Sequence, residues 1–309
     1  MKASRQVTIL ASVLLIACLS GAVAMLRAVD EIRPTATLDE SLYITSPKLL
    51  KRLSLGYDGL LADIYWTRAV QYFGERHHRG EVSYKLLAPL LQITTALDPH
   101  LVVAYQFGSN FLAPDPPNGA GMPHAAIELA EFGIKHNPDE WRLYYELGFI
   151  YYMDLKDYRK AAEAFARGAQ TPKAHPFLRI MGGLMAEHAG DLETARMMWT
   201  TTYESAQEQS IRNNAAAHLR ALQVDEDVTR LEELVQHYRE QVGRLPQSLG
   251  DLNAAGMLRG VPRDPLGNAY LLSPDGKVRV QSPDDLPFIT KGLPPGYKPP
   301  VTPKVPSVN

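Results

Sequence analysis

The side chains able to do chemistry are scattered along the chain. His77 and His78 adjoin Arg76 and Arg79, and a histidine pair is one way a zinc site begins. Such a site needs three or four ligands in a tetrahedral set, and no cysteine is available to complete one here. The pair therefore reads as solvated turn histidines. Asn118-Gly119-Ala120-Gly121 has the glycine density of a phosphate loop. It lacks the Lys-Ser/Thr pair and the preceding strand that such a loop needs. Asp98-Pro99-His100 and His136-Asn137-Pro138 place Asp, Asn and Pro where the backbone turns. Asp284-Asp285 offers two carboxylates, short of the six to eight oxygens that Ca²⁺ takes. Gly-x-Ser-x-Gly, His-Glu-x-x-His and Cys-x-x-Cys-His are all absent from the sequence. No catalytic, cofactor-binding or metal residue is named by this survey, so the expectation is a protein that is not an enzyme and carries no cofactor.

Composition narrows the partner class. The chain has 309 residues, 45% of them hydrophobic and 21% charged, enough to bury a core and to exclude a wholly disordered chain. Lys and Arg total 32 against 34 Asp and Glu, a net charge of −2 that argues against a nucleic-acid binder. The one cysteine, Cys18, cannot form an internal disulfide. It falls inside Val7–Leu26, twenty residues without a charge that follow Lys2 and Arg5. Twenty helical residues span roughly 30 Å, the thickness of a hydrocarbon core, and leading positive charge keeps the N-terminus in the cytoplasm. The run reads as an uncleaved signal anchor. Two other readings stay open: cleavage after Ala24, at the small-x-small site Ala22-Val23-Ala24, and acylation of Cys18, because Leu15-Ile16-Ala17-Cys18 resembles the lipobox of bacterial lipoproteins. All three export the rest of the chain. The expected address is the bacterial inner membrane, crossed once, with a mildly acidic body in the periplasm.

The elements behind the anchor follow a repeat. Ser46-Pro47 opens a short lead-in helix, Ser as cap and Pro at the first helical position. A stronger helix runs from about Leu60 to Phe73. In Trp141–Pro172, Leu147-Gly148 and Tyr151 precede a turn, and Tyr158, Ala161 and Phe165 follow it. Gly183, Ala186, Gly190-Asp191, Ala195 and Trp199 then recur in corresponding places. Ala161 to Ala195 and Phe165 to Trp199 are each 34 residues, and Gly148 to Gly183 is 35. Small residues let two helices approach while large ones fill the space beside them. Two looser units precede these. One carries Tyr105, Phe107, Gly108 and Phe111, an enlarged turn Ala113–Pro123, then Ala126, Ala130 and Gly133. The other carries Ala62, Trp66, Ala69 and Tyr72, a long turn Gly74–Glu81, then Leu87, Leu91 and Thr94. This pattern resembles the tetratricopeptide repeat, a helix–turn–helix unit of about 34 residues, over Ala62–Gln207. The resemblance implies a helical solenoid, closed by a capping helix at Ser210–Leu222.

A second helix is expected from Asp225 or Asp227 to Val242, with Val228, Leu231, Leu234, Val235 and Tyr238 on one face. Gly243-Arg244-Leu245-Pro246 breaks it, a short helical segment Ser248–Leu258 follows, and Ala269–Leu272 and Lys277–Val280 flank Pro274-Asp275-Gly276 as a hairpin. With Asp264-Pro265-Leu266-Gly267-Asn268 and Tyr270, this block resembles the C-terminal half of the type II secretion major pseudopilin. The N-terminal run has neither the processing site nor the glutamate of that family, so a polymerising pilin is not expected. The fold class is thus mainly α: 1–30 an anchor, 31–61 a stalk and lead-in helix, 62–222 the solenoid, 223–282 a small α+β module with a hairpin, and 283–309 a proline-rich tail expected to be disordered.

The resemblance to tetratricopeptide proteins also places a binding site. In that family, fixed first-helix positions line a concave groove. By the offsets above they are Trp66, Val70 and Phe73; Tyr105 and Leu112, with Ser109 between; Arg142, Tyr145, Phe149 and Tyr152; and Ile180 and Leu184, followed by Glu187. Apart from Arg142, the set lacks the cations of a clamp for a C-terminal carboxylate. It implies an extended peptide or amphipathic helix with apolar anchors. A groove filled by the chain itself, from Leu42–Leu61 or the C-terminal tail, is the other outcome. The functional expectation is a membrane-anchored scaffold of an envelope complex, in the neighbourhood of secretion or type IV pili. A peripheral subunit of a polysaccharide or ABC-type exporter, or an enzyme with an unrecognised site, are the rivals. Partner identity and oligomeric state are not legible.

Overall fold

Amphipathic periodicity governs the fold: nearly every stretch with apolar residues three and four apart has become a helix. The computed structural model describes residues 2–32 and 46–299. Most of the expected stalk, at 33–45, and the last ten residues of the expected tail, 300–309, lie outside the described residues. The molecule is mainly helical with one two-stranded antiparallel sheet. It divides into two units, Met1–Asp98 and Pro99–Asn309.

In the first unit, α1 (Lys2–Ile32) carries the uncharged run. Its side chains Val13, Leu14, Leu15, Ile16, Leu19, Val23 and Met25 are all more than half exposed, and the free Cys18 is exposed. Among the described residues no helix is long and apolar enough to cross a membrane.

Helix α2 (Pro47–Leu53) starts as its sequence dictates, with Ser46 accepting from the Leu49 amide. It packs on α4 (Leu87–Leu97), as does α3 (Asp58–His78). Ala62, Ala69 and Tyr72 of α3 meet Leu87, Leu90, Leu91 and Leu97 of α4 in a buried layer. The expected turn at Gly74 is not there. Helix α3 continues through Gly74 to His78, so His77 and His78 sit in a last helical turn rather than a loop. That turn, rich in Arg76, His77 and His78, suits the negative end of the helix dipole.

In the second unit, α5 (Val102–Leu112) pairs with α6 (Pro123–His136), α7 (Trp141–Phe149) with α8 (Tyr158–Ala169), and α9 (Phe177–Ala189) with α10 (Leu192–Ser205). Each pair also packs on the next. The repeated small–large interlock is physical. A Cβ on Gly148 would stand 2.5 Å from the Phe165 ring, and one on Gly183 would stand 2.8 Å from Trp199. The turns repeat too: Lys156 (φ 55) and Gly190 (φ 74), 34 residues apart, are both left-handed. Each precedes an aspartate N-cap, Asp157 accepting from Lys160 and Asp191 from Thr194. The one 35-residue spacing has a visible cause. Helix α7 widens into a π turn at Ile150–Asp154, a geometry that absorbs one extra residue.

Two C-terminal expectations change. The capping helix and the helix expected after it are one 34-residue helix, α11 (Gln209–Val242), which runs through the boundary expected at 222–223. Asp225 and Asp227 are not caps; their carboxylates are used sideways. Asp225 accepts from the amides of Thr290 and Lys291 and from the Thr290 hydroxyl, at 2.9, 2.8 and 2.6 Å, and Asp227 accepts from the Tyr270 hydroxyl at 3.1 Å. Secondly, residues 283–299, expected to be an unstructured tail, are packed. Leu286 and Ile289 join Val228, Leu231, Val235, Leu252, Tyr270 and Val278 in one core. Around it lie α12 (Leu249–Ala254) and the hairpin β1 (Leu271–Leu272) and β2 (Val278–Arg279), paired Leu271↔Arg279 and Leu272↔Val278. The hairpin and its Asp275-Gly276 turn fall where the sequence put them, with Gly276 at φ 81.

Candidate protein-binding groove

Helix α7 buries one side and leaves an arc on the other. Leu143, Tyr144, Leu147 and Gly148 are buried. Trp141, Tyr145, Phe149 and Tyr152, spaced four, four and three residues apart, stay partly exposed on the opposite side. Their rings form a chain: Trp141–Tyr145 at 6.3 Å edge-on, Tyr145–Phe149 at 4.6 Å, Phe149–Tyr152 at 6.1 Å edge-on. The chain continues to Tyr158 at the head of α8 and branches to Phe177 at the head of α9, 6.0 Å from Tyr145. Ile180 and Leu184 of α9, both half-buried, pack on the same cluster. The sequence-derived positions Tyr145, Phe149, Tyr152, Ile180 and Leu184 are therefore brought together. Arg142 is exposed beside them, paired with Glu140 at 2.9 Å and lying over the Trp141 ring.

Tyr105 and Leu112 are not on this face. They are 0% and 1% exposed and belong to the core. The register of α5 explains it. The Tyr105 hydroxyl donates to the Pro99 carbonyl, and the Tyr144 hydroxyl donates to Pro138, six residues earlier in each case. Gly133 presses on Tyr105 as Gly168 presses on Tyr144. Tyr105 is thus the counterpart of Tyr144, not of Tyr145, and a one-residue slip turns a helical side chain by about 100°. The corrected counterparts of Tyr145 and Phe149 are Gln106 and Asn110, so the α5 end of the arc is polar. Ser109 is the counterpart of Gly148 and is buried with it.

In the first unit, Trp66 and Phe73 of α3 are half-buried and Val70 is 37% exposed; Phe73 stacks on His77 and Tyr84. These three share a helix face, described within that unit alone.

Two polar groups on or beside the arc escaped sequence reasoning. Glu146 of α7 accepts from Asn110 Nδ2 at 3.2 Å, and burial pushes its carboxyl up to about 7 against that hydrogen bond. Burial, then the charge of Asp115, raises Asp154 in the π turn. The signal for Glu146 was its place beside Tyr145 on a helix packed by α5, which only the corrected register of α5 exposes. Glu187, the last groove position on α9, is already engaged. It accepts from Trp199 Nε1 at 2.7 Å and contacts His218 Nδ1 at 3.0 Å. His218 is sandwiched between Trp199 and Phe288, ring to ring at 4.0 Å on both faces.

The residues with metal or phosphate potential do not assemble. Among the described residues no group of three or more His, Cys, Asp or Glu side chains stands ready to hold a metal ion. Gly119 serves the turn it belongs to, where a Cβ would stand 2.5 Å from the Pro114 carbonyl oxygen. Asp264 is 5% exposed and spends its Oδ1 on the Leu266 and Asn268 amides, closing the turn before the hairpin. Asp284 accepts from the Tyr297 hydroxyl. The chain matches no family model, and no curated protein matches it.

Proposed function

We propose that this chain is a tetratricopeptide-type scaffold of a bacterial envelope complex, anchored by its N-terminal helix, with its body in the periplasm. It acts by binding a protein segment, not by catalysis. The observation that carries the reading is the arc of linked, partly exposed rings on α7, extended by Phe177, Ile180 and Leu184 of α9. Aromatic side chains give much contact area for little conformational entropy, which makes such an arc a protein-binding surface. The uncharged Val7–Leu26 run and the exposed apolar side chains of α1 support the anchor. The pseudopilin-like order of long helix, short helix, Asp264 turn and hairpin supports a secretion or type IV pilus setting, by analogy of fold alone.

The test is affinity capture from crosslinked native membranes with the full chain and with Tyr145→Ala/Phe149→Ala. Loss of the captured partner, with helicity unchanged by circular dichroism, is the expected result. Undiminished capture would remove the groove as the site.

A further inference from the structure

We infer that the exposed side of α2 and of the start of α3, residues 48–64, lies on the membrane surface, its apolar side chains in the headgroup boundary and its cations on anionic lipid. This rests on the N-terminal anchor proposed above and adds a second contact with the same bilayer.

The first unit leaves a run of large apolar side chains outside its core. Leu49 and Leu53 of α2, Leu55 and Tyr57 of the turn, and Leu60 and Ile64 of α3 are between 47% and 85% exposed. A single exposed leucine is ordinary, but six large apolar side chains within residues 49–64 form a surface that calls for a cover. Leu49 and Leu53, like Leu60 and Ile64, are four residues apart and share a helix face. Other residues make the core: Leu50 is the buried residue of α2, and Ala62, Ala69 and Tyr72 are those of α3.

The turn between the two helices holds Leu55 out. Leu55 has φ 53, a left-handed conformation costly for a leucine, and Gly56 follows at φ 91. Hydrogen bonds fix this turn. The Ser54 amide donates to the Leu50 carbonyl and the Tyr57 amide to the Ser54 carbonyl, both at 2.9 Å, and the buried Ser54 hydroxyl donates to the Asp58 carboxylate. The most exposed large apolar side chain among the described residues therefore sits on a fixed, strained turn. Strain that presents a leucine to solvent serves a contact outside the chain.

Charge selects a bilayer over a protein. Lys48, Lys51 and Arg52 are exposed on α2 and make no ion pair among the described residues. With Asp58 engaged by Ser54, Asp63 is the one exposed carboxylate in 48–64. Lysine is depleted from protein interfaces, whereas leucines bordered by Lys, Arg and Tyr are the composition of a helix lying in the bilayer interface. Position agrees. Helix α1 ends at Ile32 and α2 begins at Pro47, and a chain the length of 33–46 reaches at most about 50 Å. An anchor at Val7–Leu26 keeps this face near the headgroups and makes its docking intramolecular.

The test uses the full chain with Cys18→Ser and Leu55→Cys, labelled with an environment-sensitive fluorophore at position 55 and reconstituted into vesicles. Doxyl-labelled lipid quenches a docked probe and aqueous iodide an undocked one. In phosphatidylcholine vesicles containing phosphatidylglycerol, strong doxyl and weak iodide quenching are expected. Each cation near an anionic surface shifts the docking equilibrium about fivefold, so pure phosphatidylcholine, or Lys48→Gln/Lys51→Gln/Arg52→Gln, should cut the docked-to-undocked ratio at least tenfold. Leu49→Ser/Leu53→Ser, at exposed positions that leave the helical circular dichroism unchanged, should lower it as well. A probe that stays open to iodide in a chain that floats with the vesicles would overturn the docking and leave the anchor standing. A chain that does not float would overturn both. Shielding from iodide without doxyl quenching, growing with the protein-to-lipid ratio, would overturn the docking in favour of a second copy of the chain.

Discussion

Glu146 shows how one residue couples packing to the chemistry of a binding face. Its carboxyl is held up to about 7, against an ordinary 4.5, chiefly because packing of α5 against α7 strips water from it. Between those two values the folded chain keeps a proton that the unfolded chain has released. The stability tied to that proton is complete below about pH 4.5 and is lost as pH rises through 7. The shift is equivalent to at most about 3 kcal/mol, less as solvent screens the site. Glu146→Gln preserves an oxygen for Asn110 and removes the titration. Thermal melts at pH 5 and pH 8 should therefore show a smaller fall for the variant than for the parent. At pH 8 the variant should melt several degrees higher, at roughly 2–4 °C per kcal/mol. An identical pH dependence in both proteins would mean that Glu146 is solvated.

At the scale of the element, the repeat rests on glycines that admit a ring. Gly148 and Gly183 face Phe165 and Trp199 at distances no Cβ tolerates. Gly148→Ala should cost about 1–3 kcal/mol, the usual range for overpacking a well-filled core. Phe165→Leu in the same chain should return part of it, because the leucine leaves the space the methyl needs. Urea melts of the two singles and the double check this, and a purely additive double would show that the two positions do not touch. These contacts were legible in the sequence because the residue types recur at 34-residue intervals. The same periodicity misled at α5, where two turns of different length permit alignments one residue apart. Only the Pro99–Tyr105 and Pro138–Tyr144 hydrogen bonds select between them. It misled again at Asp225 and Asp227. An aspartate before an apolar run has the same local pattern whether it caps a helix or reaches out to a distant loop. The partners, Thr290 and Tyr270, lie 65 and 43 residues away.

At the scale of the whole molecule, those distant bonds tie the stretch 283–299 to α11 and the core around it. The stretch 283–299 is rich in proline and would be extended by itself. It is held by three kinds of contact. Leu286 and Ile289 enter the core, Asp225 gathers the amides of Thr290 and Lys291, and Phe288 completes the stack on His218. Phe288 does so at φ 72, a left-handed conformation unfavourable for a large side chain, so its contacts must outweigh a local cost. Hydrogen bonds to a carboxylate are worth about 1.5–3 kcal/mol each, and a stretch held by a few such contacts opens locally before the whole molecule unfolds. Asp225→Ala should therefore free the stretch without melting the helices. Limited trypsin digestion is the measurement, with Lys291 as the reporting bond. Cleavage there should rise tenfold or more, a change of about 1.4 kcal/mol in the opening equilibrium, while the far-ultraviolet helical signal stays constant. Phe288→Ala acts on the same stretch through the ring stack and should do the same.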